Sequence, residues 1–153
     1  LYDASGRRVY PLSRTGDIRS DRAEENEAAA MNIEAGSEVI RIHRIRVLDD
    51  QPVINEQIVL PAFRFPHFNL DLKRLPNTLY EHYHQKFGIF VVRATENLEA
   101  VRPDASDQKF LHVEADEPLL EVQRRAFDVQ DNVVEFRRSR IVTKRHHYQI
   151  DLR

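Results

Sequence analysis

Two arginines and a glutamate are the residues whose spacing in this chain most suggests a binding pocket. Side chains of a β-strand alternate between two faces, so a strand over residues 38–48 places Arg44 and Arg46 together beyond an apolar stretch. On the returning strand, Glu56 shares a face with apolar residues, a poor place for a carboxylate without a partner. Guanidinium groups bind carboxylates and phosphates through a planar fork of donors. The pattern therefore suits a site for an anion or a polyol, with exposed surface ion pairs as the alternative interpretation.

The second half of the chain repeats this arrangement. Residues 31–42 read MNIEAGSEVIRI and residues 111–122 read LHVEADEPLLEV, and the two segments align without a gap at matching apolar positions. Each copy is followed by a second apolar run, which predicts an antiparallel hairpin in each half. In the second hairpin, Arg124 corresponds to Arg44, and Glu135 follows two valines. Two copies are too few for a solenoid, so they predict one sheet with a cleft shared by two related hairpins.

The elements that must position these residues follow from turn and capping signals. Gly, Pro and Asp-rich turns separate the apolar runs, and Asp and Asn side chains are available at predicted helix starts. The order of helices and hairpins predicts an α+β fold with helices against an antiparallel sheet. We expect a loose lead-in over 1–13, helices over 21–31 (capped by Asp21), 78–87 and 104–111, strands over 38–48, 52–60, 89–101, 118–128 and 133–143, a helical turn near 70–73, and an extension of the last strand over 148–152.

Composition narrows the function. The chain of 153 residues is 41% hydrophobic and 31% charged, which is typical of one globular domain. Its net charge of −2 argues against nucleic-acid binding by this segment, and the basic run at 137–147 alternates between two faces. The chain has no cysteine, and its paired histidines diverge on their predicted elements. We therefore expect no metal site and no cofactor.

The sequence also resembles a known family. RIHRIRVLDDQPVINEQIVLP at residues 41–61 resembles the signature of the UTRA domain, the effector-binding half of GntR-family bacterial transcription regulators of the HutC subfamily. Three further segments, NTLYEHYHQKFG, ATENLEAV and EADEPLLEVQRRAFDVQDNVVEF, resemble family elements in the same order. The likeness covers residues 16–152, and its specificity lies in the order and spacing of these segments together.

The resemblance implies a fold, an organisation and a function. It implies a chorismate-lyase-like antiparallel sheet of about six strands, with flanking helices and an internal pseudo-repeat. Residues 1–15 would lead in from a missing N-terminal winged helix-turn-helix that binds operator DNA, and residues 16–153 would form the effector-binding domain. The resemblance further implies a cytoplasmic homodimer whose small-molecule effector is a phosphorylated sugar, a sugar or an acidic metabolite, with no membrane association.

The resemblance also implies the effector-binding residues. The family's Arg-x-Arg and Glu fall on the first hairpin, its Ser-Leu-Tyr element reads Thr-Leu-Tyr here, and its closing Glu falls on the second hairpin. The family's Gly-Asp-Arg-Tyr is replaced by a Lys-Arg-His-His-Tyr run, so the tyrosine matches only with an insertion. The expected effector-binding residues are Arg44, Arg46, Glu56, Thr78, Tyr80, Glu135 and Tyr148.

Three functions remain open from the sequence. The first is a ligand-sensing regulatory domain without catalytic residues, and the second is an enzyme of the same fold, similar to chorismate lyase, that acts on an aromatic acid. The third is a dimerisation module whose pocket has degenerated. The presence of Arg44, Arg46 and Glu56 together with the Thr-Leu-Tyr element favours the ligand sensor, which is not an enzyme.

Overall fold

An antiparallel sheet with helices on both faces forms the fold. The computed structural model describes residues 1–71 and 75–153, and none of the helices it describes is long and apolar enough to cross a membrane. A 3₁₀ turn at Ala62–Arg64 follows the fourth strand. The elements are β1 (Tyr2–Asp3), β2 (Leu12–Arg22), α1 (Glu25–Met31), β3 (Glu38–Leu48), β4 (Gln51–Pro61), α2 (Leu79–Phe87), β5 (Arg93–Val101), α3 (Ala105–Leu111), β6 (Leu119–Phe127), β7 (Val133–Val142) and β8 (His146–His147).

The six long strands form one sheet in the order β2-β3-β4-β7-β6-β5. Every neighbouring pair is antiparallel, and β4 pairs with β7 at the centre. The unit β2–α1–β3–β4 on one side therefore corresponds to the unit β5–α3–β6–β7 on the other. This confirms the α+β class, the six-stranded antiparallel sheet and the internal pseudo-repeat.

The repeat extends to the way its two short helices begin. Helix α1 starts with a capping box in which Glu24 and Glu27 each bond the backbone of the other. Helix α3 starts with the same device at the equivalent place in the second half, formed by Asp104 and Asp107. The second carboxylate of each box is buried between its helix and the sheet. Each of these buried carboxylates also pairs with an arginine of the sheet, Glu27 with Arg41 and Asp107 with Arg140.

The two faces of the sheet are covered differently. Helix α2 packs Leu79 and Tyr83 against Ile42 and Ile58 in one apolar cluster, and this face of the sheet is called the α2 face below. Helix α1 packs on the opposite face, where Met31 joins a separate cluster of strand residues. The alternation of side chains along β3 thus sends its even-numbered residues to the α2 face, as the sequence predicts.

Strand β2 differs from the sequence-based expectation. The helix expected from Asp21 begins at Glu25, because β2 continues to Arg22 and pairs Asp21 with Val39 of β3. The Asp21 carboxylate accepts a hydrogen bond from Arg41 instead of capping a helix. The lead-in expected over 1–13 contains β1 and the start of β2, and the expected domain boundary between residues 15 and 16 falls within β2.

The C-terminal end also differs from expectation. No strand covers residues 148–152, all of which the structure describes; only His146–His147 form β8, which pairs with β1 near the N-terminus. The strand expected from residue 89 begins at Arg93. Of the helical turn expected near residues 70–73, residues 72 and 73 lie outside the residues that the structure describes, and residues 70 and 71 are not helical.

The buried capping carboxylate Asp107 gives the first test of this fold. Asp107→Asn replaces one acceptor oxygen by an amide donor, although both oxygens now accept hydrogen bonds, from Asn55, Arg140 and the Asp104 backbone. We expect the free energy of unfolding, measured by urea denaturation, to fall by about 3 kcal/mol, as when a buried pair loses one charge. Asp116→Asn, at an exposed turn, is the matched control and should change it by less than about 0.5 kcal/mol. Equal effects of the two substitutions would contradict a structural role for Asp107.

Candidate functional site

A cavity of about 230 Å³ opens on the α2 face where the two hairpins meet. Its volume is below the ~300–1,000 Å³ of sites for drug-sized ligands, so it suits a small molecule. Both hairpins, strand β5 and the two ends of the chain contribute to its wall. The lining residues are Leu1, Pro11, Arg46, Ile54, Glu56, Glu96, Val122, Arg124, Arg137, Ser139, Ile141 and Tyr148.

Glu56 lies at the centre of the polar groups around this cavity. Its carboxylate accepts hydrogen bonds from Nε and Nη2 of Arg44, at 2.9 and 2.6 Å, and from Oγ of Ser139 at 3.1 Å. Ser139 is also the residue opposite Glu56 in the β4–β7 pairing, so this bond joins the two hairpins. Burial alone would raise the pKa of Glu56, but the charges of neighbouring arginines, Arg137 foremost, lower that pKa to about 2. Glu56 is therefore a buried, ionised carboxylate.

A second buried carboxylate, Glu135, orients Arg137. The guanidinium of Arg137 donates from Nε and Nη2 to the two oxygens of Glu135, at 2.8 and 2.9 Å. The hydroxyl of Tyr83 donates to Glu135 at 2.6 Å. Nη1 of Arg137 lies 3.6 Å from Glu56, and its guanidinium carbon lies 5.5 Å from the centre of the Tyr80 ring. Arg137 is thus fixed between two carboxylates and an aromatic ring.

The opposite wall is built around Arg124 and Glu96. Nε of Arg124 donates to Glu96 at 3.0 Å, and its Nη1 donates to the Tyr80 hydroxyl at 3.3 Å. The hydroxyl of Tyr148 donates to the other oxygen of Glu96 at 2.5 Å. Burial, followed by the hydrogen bond to Glu96, raises the pKa of Tyr148. Residues 148 and 96 thus connect the C-terminal segment to strand β5 across the mouth of the cavity.

The two hairpins differ in charge at one equivalent pair of positions. Arg44 faces Glu56 in the β3–β4 pairing, whereas Arg124 faces Arg137 at the corresponding place in the β6–β7 pairing. Like charges directly opposite each other are destabilising without compensation. The charged side chains around the cavity are called the arginine–glutamate cluster below. Its four arginines and three glutamates sum to one net positive charge. Its members are Arg44, Arg46, Arg124, Arg137, Glu56, Glu96 and Glu135.

Arg46 has the weakest set of partners in this cluster. Its Nη2 donates to the Pro11 carbonyl at 2.8 Å, and its Nη1 lies 3.9 Å from Glu56. Burial lowers the pKa of Arg46 to about 10, and the positive charges of Arg44 and Arg137 add to this effect. Arg46 still carries its charge at neutral pH, with a backbone carbonyl as its nearest acceptor. An anion in the cavity would give it a charged partner.

The structure brings most of the sequence-predicted site residues together. Arg46, Glu56 and Tyr148 line the cavity. Arg44 and Glu135 lie behind it, almost fully buried, with their polar atoms bonded to other side chains.

Two predicted residues lie at or beyond the edge of the cluster. Tyr80 joins it through its bond to Arg124. Thr78 is exposed, is not among the lining residues, and makes no side-chain hydrogen bond at the start of α2. The main-chain oxygen beside it, that of Asn77, accepts from Arg44 at 3.2 Å.

Sequence reasoning missed several members of the site. Arg124 and Arg137 lie on the predicted second hairpin but are not among the expected effector-binding residues, although they face each other across the strand pair. Counting the register outward from the turn would have placed Arg124 opposite Phe136, because the pairing shifts by one residue between Phe127 and Ala126. Glu96, Ser139 and Tyr83 carry no local signal, because their hydrogen-bond partners lie on elements far away in the chain.

Two larger clefts lie elsewhere on the protein. One of about 680 Å³ is lined mainly by apolar residues around Phe65, and one of about 760 Å³ lies between the β3–β4 turn and the end of β7. We favour the smaller cavity because buried charges with shifted pKa values concentrate at functional sites. Within the described residues, no group of histidines and carboxylates could hold a metal ion.

Comparisons with known proteins identify the family and the fold of the chain. The family model of the UTRA domain matches residues 7–147. The chain belongs to the UTRA domain family. A crystal structure of the ligand-binding domain of a putative GntR-family transcriptional regulator from Bordetella bronchiseptica is similar, with a TM-score of 0.87 and 31% identity, over 94% of this chain and 92% of that one. UTRA domains are the effector-binding domains of GntR-family regulators, and the chorismate-lyase-like fold is confirmed.

Curated relatives of the UTRA chain are transcription regulators. It is 30% identical over 146 residues to the HTH-type transcriptional repressor STM4068 of Salmonella typhimurium, covering 94% of this chain and 58% of the relative. It is 29% identical over 112 residues to the HTH-type transcriptional regulator GgaR of Escherichia coli, covering 73% of this chain and 43% of the relative. The chain thus spans about half the length of these relatives. The relatives and structural neighbours of this chain are transcription regulators and not enzymes. This favours the ligand sensor over the chorismate-lyase-like enzyme.

The depressed pKa of Glu56 predicts how stability depends on pH. A carboxylate whose pKa is near 4.5 when unfolded and about 2 when folded stabilises the protein above pH 4.5, and this contribution is lost as the pH falls towards 2. Its full size is about 3 kcal/mol. We expect Glu56→Gln to be less stable than the wild type at pH 7 and to approach it near pH 2, because protonated Glu and Gln are both neutral.

Chemical denaturation at a series of pH values measures this difference. Glu99→Gln, which neutralises an exposed carboxylate on β5, is the control and should leave the wild-type pH dependence unchanged. A constant stability gap between the wild type and Glu56→Gln from pH 7 to pH 2 would show that folding does not lower the pKa of Glu56.

Proposed function

We propose that this UTRA domain senses a small anionic or strongly polar metabolite in the cavity of the arginine–glutamate cluster. The candidate classes are a phosphorylated sugar, a sugar or an acidic metabolite. In the full-length regulator, ligand binding would change the operator affinity of an N-terminal winged helix-turn-helix domain, in the cytoplasm. The observation that carries the proposal is the net positive charge of a partly buried cluster in which Arg46 has only a neutral carbonyl as its close acceptor.

The cluster divides into ligand-contacting and supporting residues. Arg46, Arg124 and Arg137 line the cavity and carry donors for an anionic group. Glu96 and Tyr148, on the opposite wall, suit hydroxyl groups of the ligand. The supporting residues are Arg44, Glu56, Tyr80 and Glu135, whose bonds fix the arginines before the ligand arrives; such preorganisation reduces the ordering cost of binding.

The N-terminal segment is the proposed route from the cavity to the DNA-binding domain. Leu1 and Pro11 line the cavity, and β1 connects this segment to β8 beside Tyr148. We retain residues 1–15 as the proposed lead-in from the DNA-binding domain, although β2 already begins at Leu12. A ligand that changes the contacts of Pro11 would act at the position where this lead-in enters the sheet.

A homodimer is the second part of the proposal, and it gives a direct test. The edge strands β2 and β5 leave Leu12 and Leu98 exposed, at 70% and 40% of their surface. Exposed edge strands favour pairing with another chain, and a lysine on such an edge opposes it. We expect a dimer in sedimentation equilibrium and a shift to monomer for either Leu12→Lys or Leu98→Lys, which would identify the pairing edge. A monomer at all micromolar concentrations for the wild type would contradict the dimer.

Ligand screening tests the sensing function. We expect a phosphorylated sugar, a sugar or an acidic metabolite to raise the melting temperature, since a ligand at a hundred times its Kd stabilises the folded state by about 2.7 kcal/mol. Arg46→Gln should then weaken binding of the confirmed ligand about ten- to hundredfold in calorimetry, because a hydrogen bond to a charged group contributes ~1.5–3 kcal/mol.

Arg14→Gln is the matched control for this substitution. Arg14 is exposed and pairs with Ile45, so it lies on the sheet face opposite the cavity. Arg14→Gln should leave the affinity for the confirmed ligand unchanged. Equal affinity of Arg46→Gln and the wild type would place the ligand outside this cavity.

A further inference from the structure

Two buried polar atoms without a hydrogen-bond partner lie on neighbouring strands of this protein. Among the described residues they are Oγ of Ser13 on β2 and Nε of Arg46 on β3. Ser13 and Arg46 are directly opposite each other in the β2–β3 pairing. Directly opposed residues of an antiparallel pair project to the same face, with their Cβ atoms about 5 Å apart. Both unsatisfied groups therefore belong to one place on the α2 face.

Such groups call for an explanation, because buried polar atoms in folded proteins nearly always have partners. Ser13 can both donate and accept, and Nε of Arg46 can only donate. An anionic oxygen accepts hydrogen bonds from both. Arg46 already lines the cavity, and Pro11, just before β2, is the neighbour that now occupies its Nη2.

We propose that Ser13 is a ligand-binding residue whose hydroxyl, together with Nε of Arg46, binds an anionic oxygen of the effector and displaces the Pro11 carbonyl from Arg46. This inference rests on the proposed sensing function and adds to it a contact residue on β2. Ser13 lies two residues after Pro11, whose carbonyl the ligand must displace. Ligand binding to Ser13 and Arg46 therefore also moves the N-terminal segment that contains Pro11.

The contacts of Pro11 make this exchange inexpensive. Its carbonyl accepts from Arg46 at 2.8 Å and from Nδ2 of Asn77 at 3.4 Å, the latter near the limit of a hydrogen bond. Neither bond joins opposite charges, whereas a guanidinium and an anion attract each other as ions as well as through hydrogen bonds. The anion therefore competes well for Arg46, and the released carbonyl turns to solvent.

The test uses inorganic phosphate as the probe and the Nε–H signal of Arg46 as the readout, in nuclear magnetic resonance. In the wild type we expect a saturable shift of this signal. Ser13→Ala should weaken phosphate binding about tenfold, the effect of one hydrogen bond to a charged group, and should not lower the melting temperature, because the hydroxyl has no partner to lose. Ser13→Thr keeps the hydroxyl and should retain binding.

Ser20→Ala is the matched control, since Ser20 is an exposed serine near the other end of the same strand, opposite Ile40 rather than Arg46. It should bind phosphate as the wild type does. Phosphate should also speed hydrogen exchange at the Val9 amide, which donates to the Leu1 carbonyl within the displaced segment.

Each outcome bears on a separate part of the inference. Equal phosphate affinity of Ser13→Ala and Ser20→Ala would overturn the role of Ser13 and leave the sensing function standing. A lower melting temperature of Ser13→Ala with unchanged affinity would show a structural role instead. Unchanged exchange at Val9 would overturn the displacement of Pro11. An Arg46 signal that does not respond to phosphate in the wild type would overturn the anion subsite itself, and with it the anionic form of the proposed function.

Discussion

The buried carboxylate of Glu56 is the interaction on which the rest of the site depends. Removing a charge from water is costly, and the cost is offset only by close, well-oriented partners. Glu56 has them from both halves of the chain: Arg44 from its own hairpin, and Ser139 and Arg137 from the other. The two hairpins therefore have to meet in one register at the β4–β7 contact. That requirement fixes the floor of the cavity before any ligand is present.

The pseudo-repeat explains how a nearly symmetric frame produces an asymmetric pocket. Capping boxes, buried capping carboxylates and hairpins recur in the two halves of the chain, and they hold the sheet together on both sides. We propose that the function arises where the repeat is broken. An arginine, Arg137, stands where the first half has Glu56, and the resulting Arg124–Arg137 pair needs negative charge nearby. Glu96 and Glu135 supply part of it, and we propose that the effector supplies the rest.

Much of this architecture follows from the sequence for physical reasons. The alternation of apolar and charged residues predicts Arg44 and Arg46 on the α2 face, and the duplication indicates two hairpins with a shared cleft. Strand β2 escaped prediction because it is an edge strand in which Ile18 is the one buried apolar residue of the described side chains. Such a strand lacks the alternation that identifies a half-buried strand.

The remaining site residues depend on long-range closure rather than on local pattern. The facing of Arg124 and Arg137 depends on the register of β6 and β7, which contains an irregularity next to Ala126. Tyr148 reaches Glu96 from a distant part of the chain. It follows β8, which ends at His147, whereas the sequence predicts a strand over residues 148–152. Thr78, which the family resemblance pointed to, lies exposed at the start of α2. The motif thus names residues that the structure places close together, such as Arg44, Glu56 and Glu135, whereas the rest of the cavity wall depends on contacts between distant parts of the chain.

The most direct measurement is a crystal structure of this domain with an effector confirmed by binding. The account predicts that the anionic or most polar group of the ligand lies within hydrogen-bond distance of Arg46, with Arg124 or Arg137 as a second donor, and that the Arg44–Glu56 pair keeps its present geometry. Electron density for the ligand in either of the two larger clefts, with Arg46 still bonded to the Pro11 carbonyl, would contradict it.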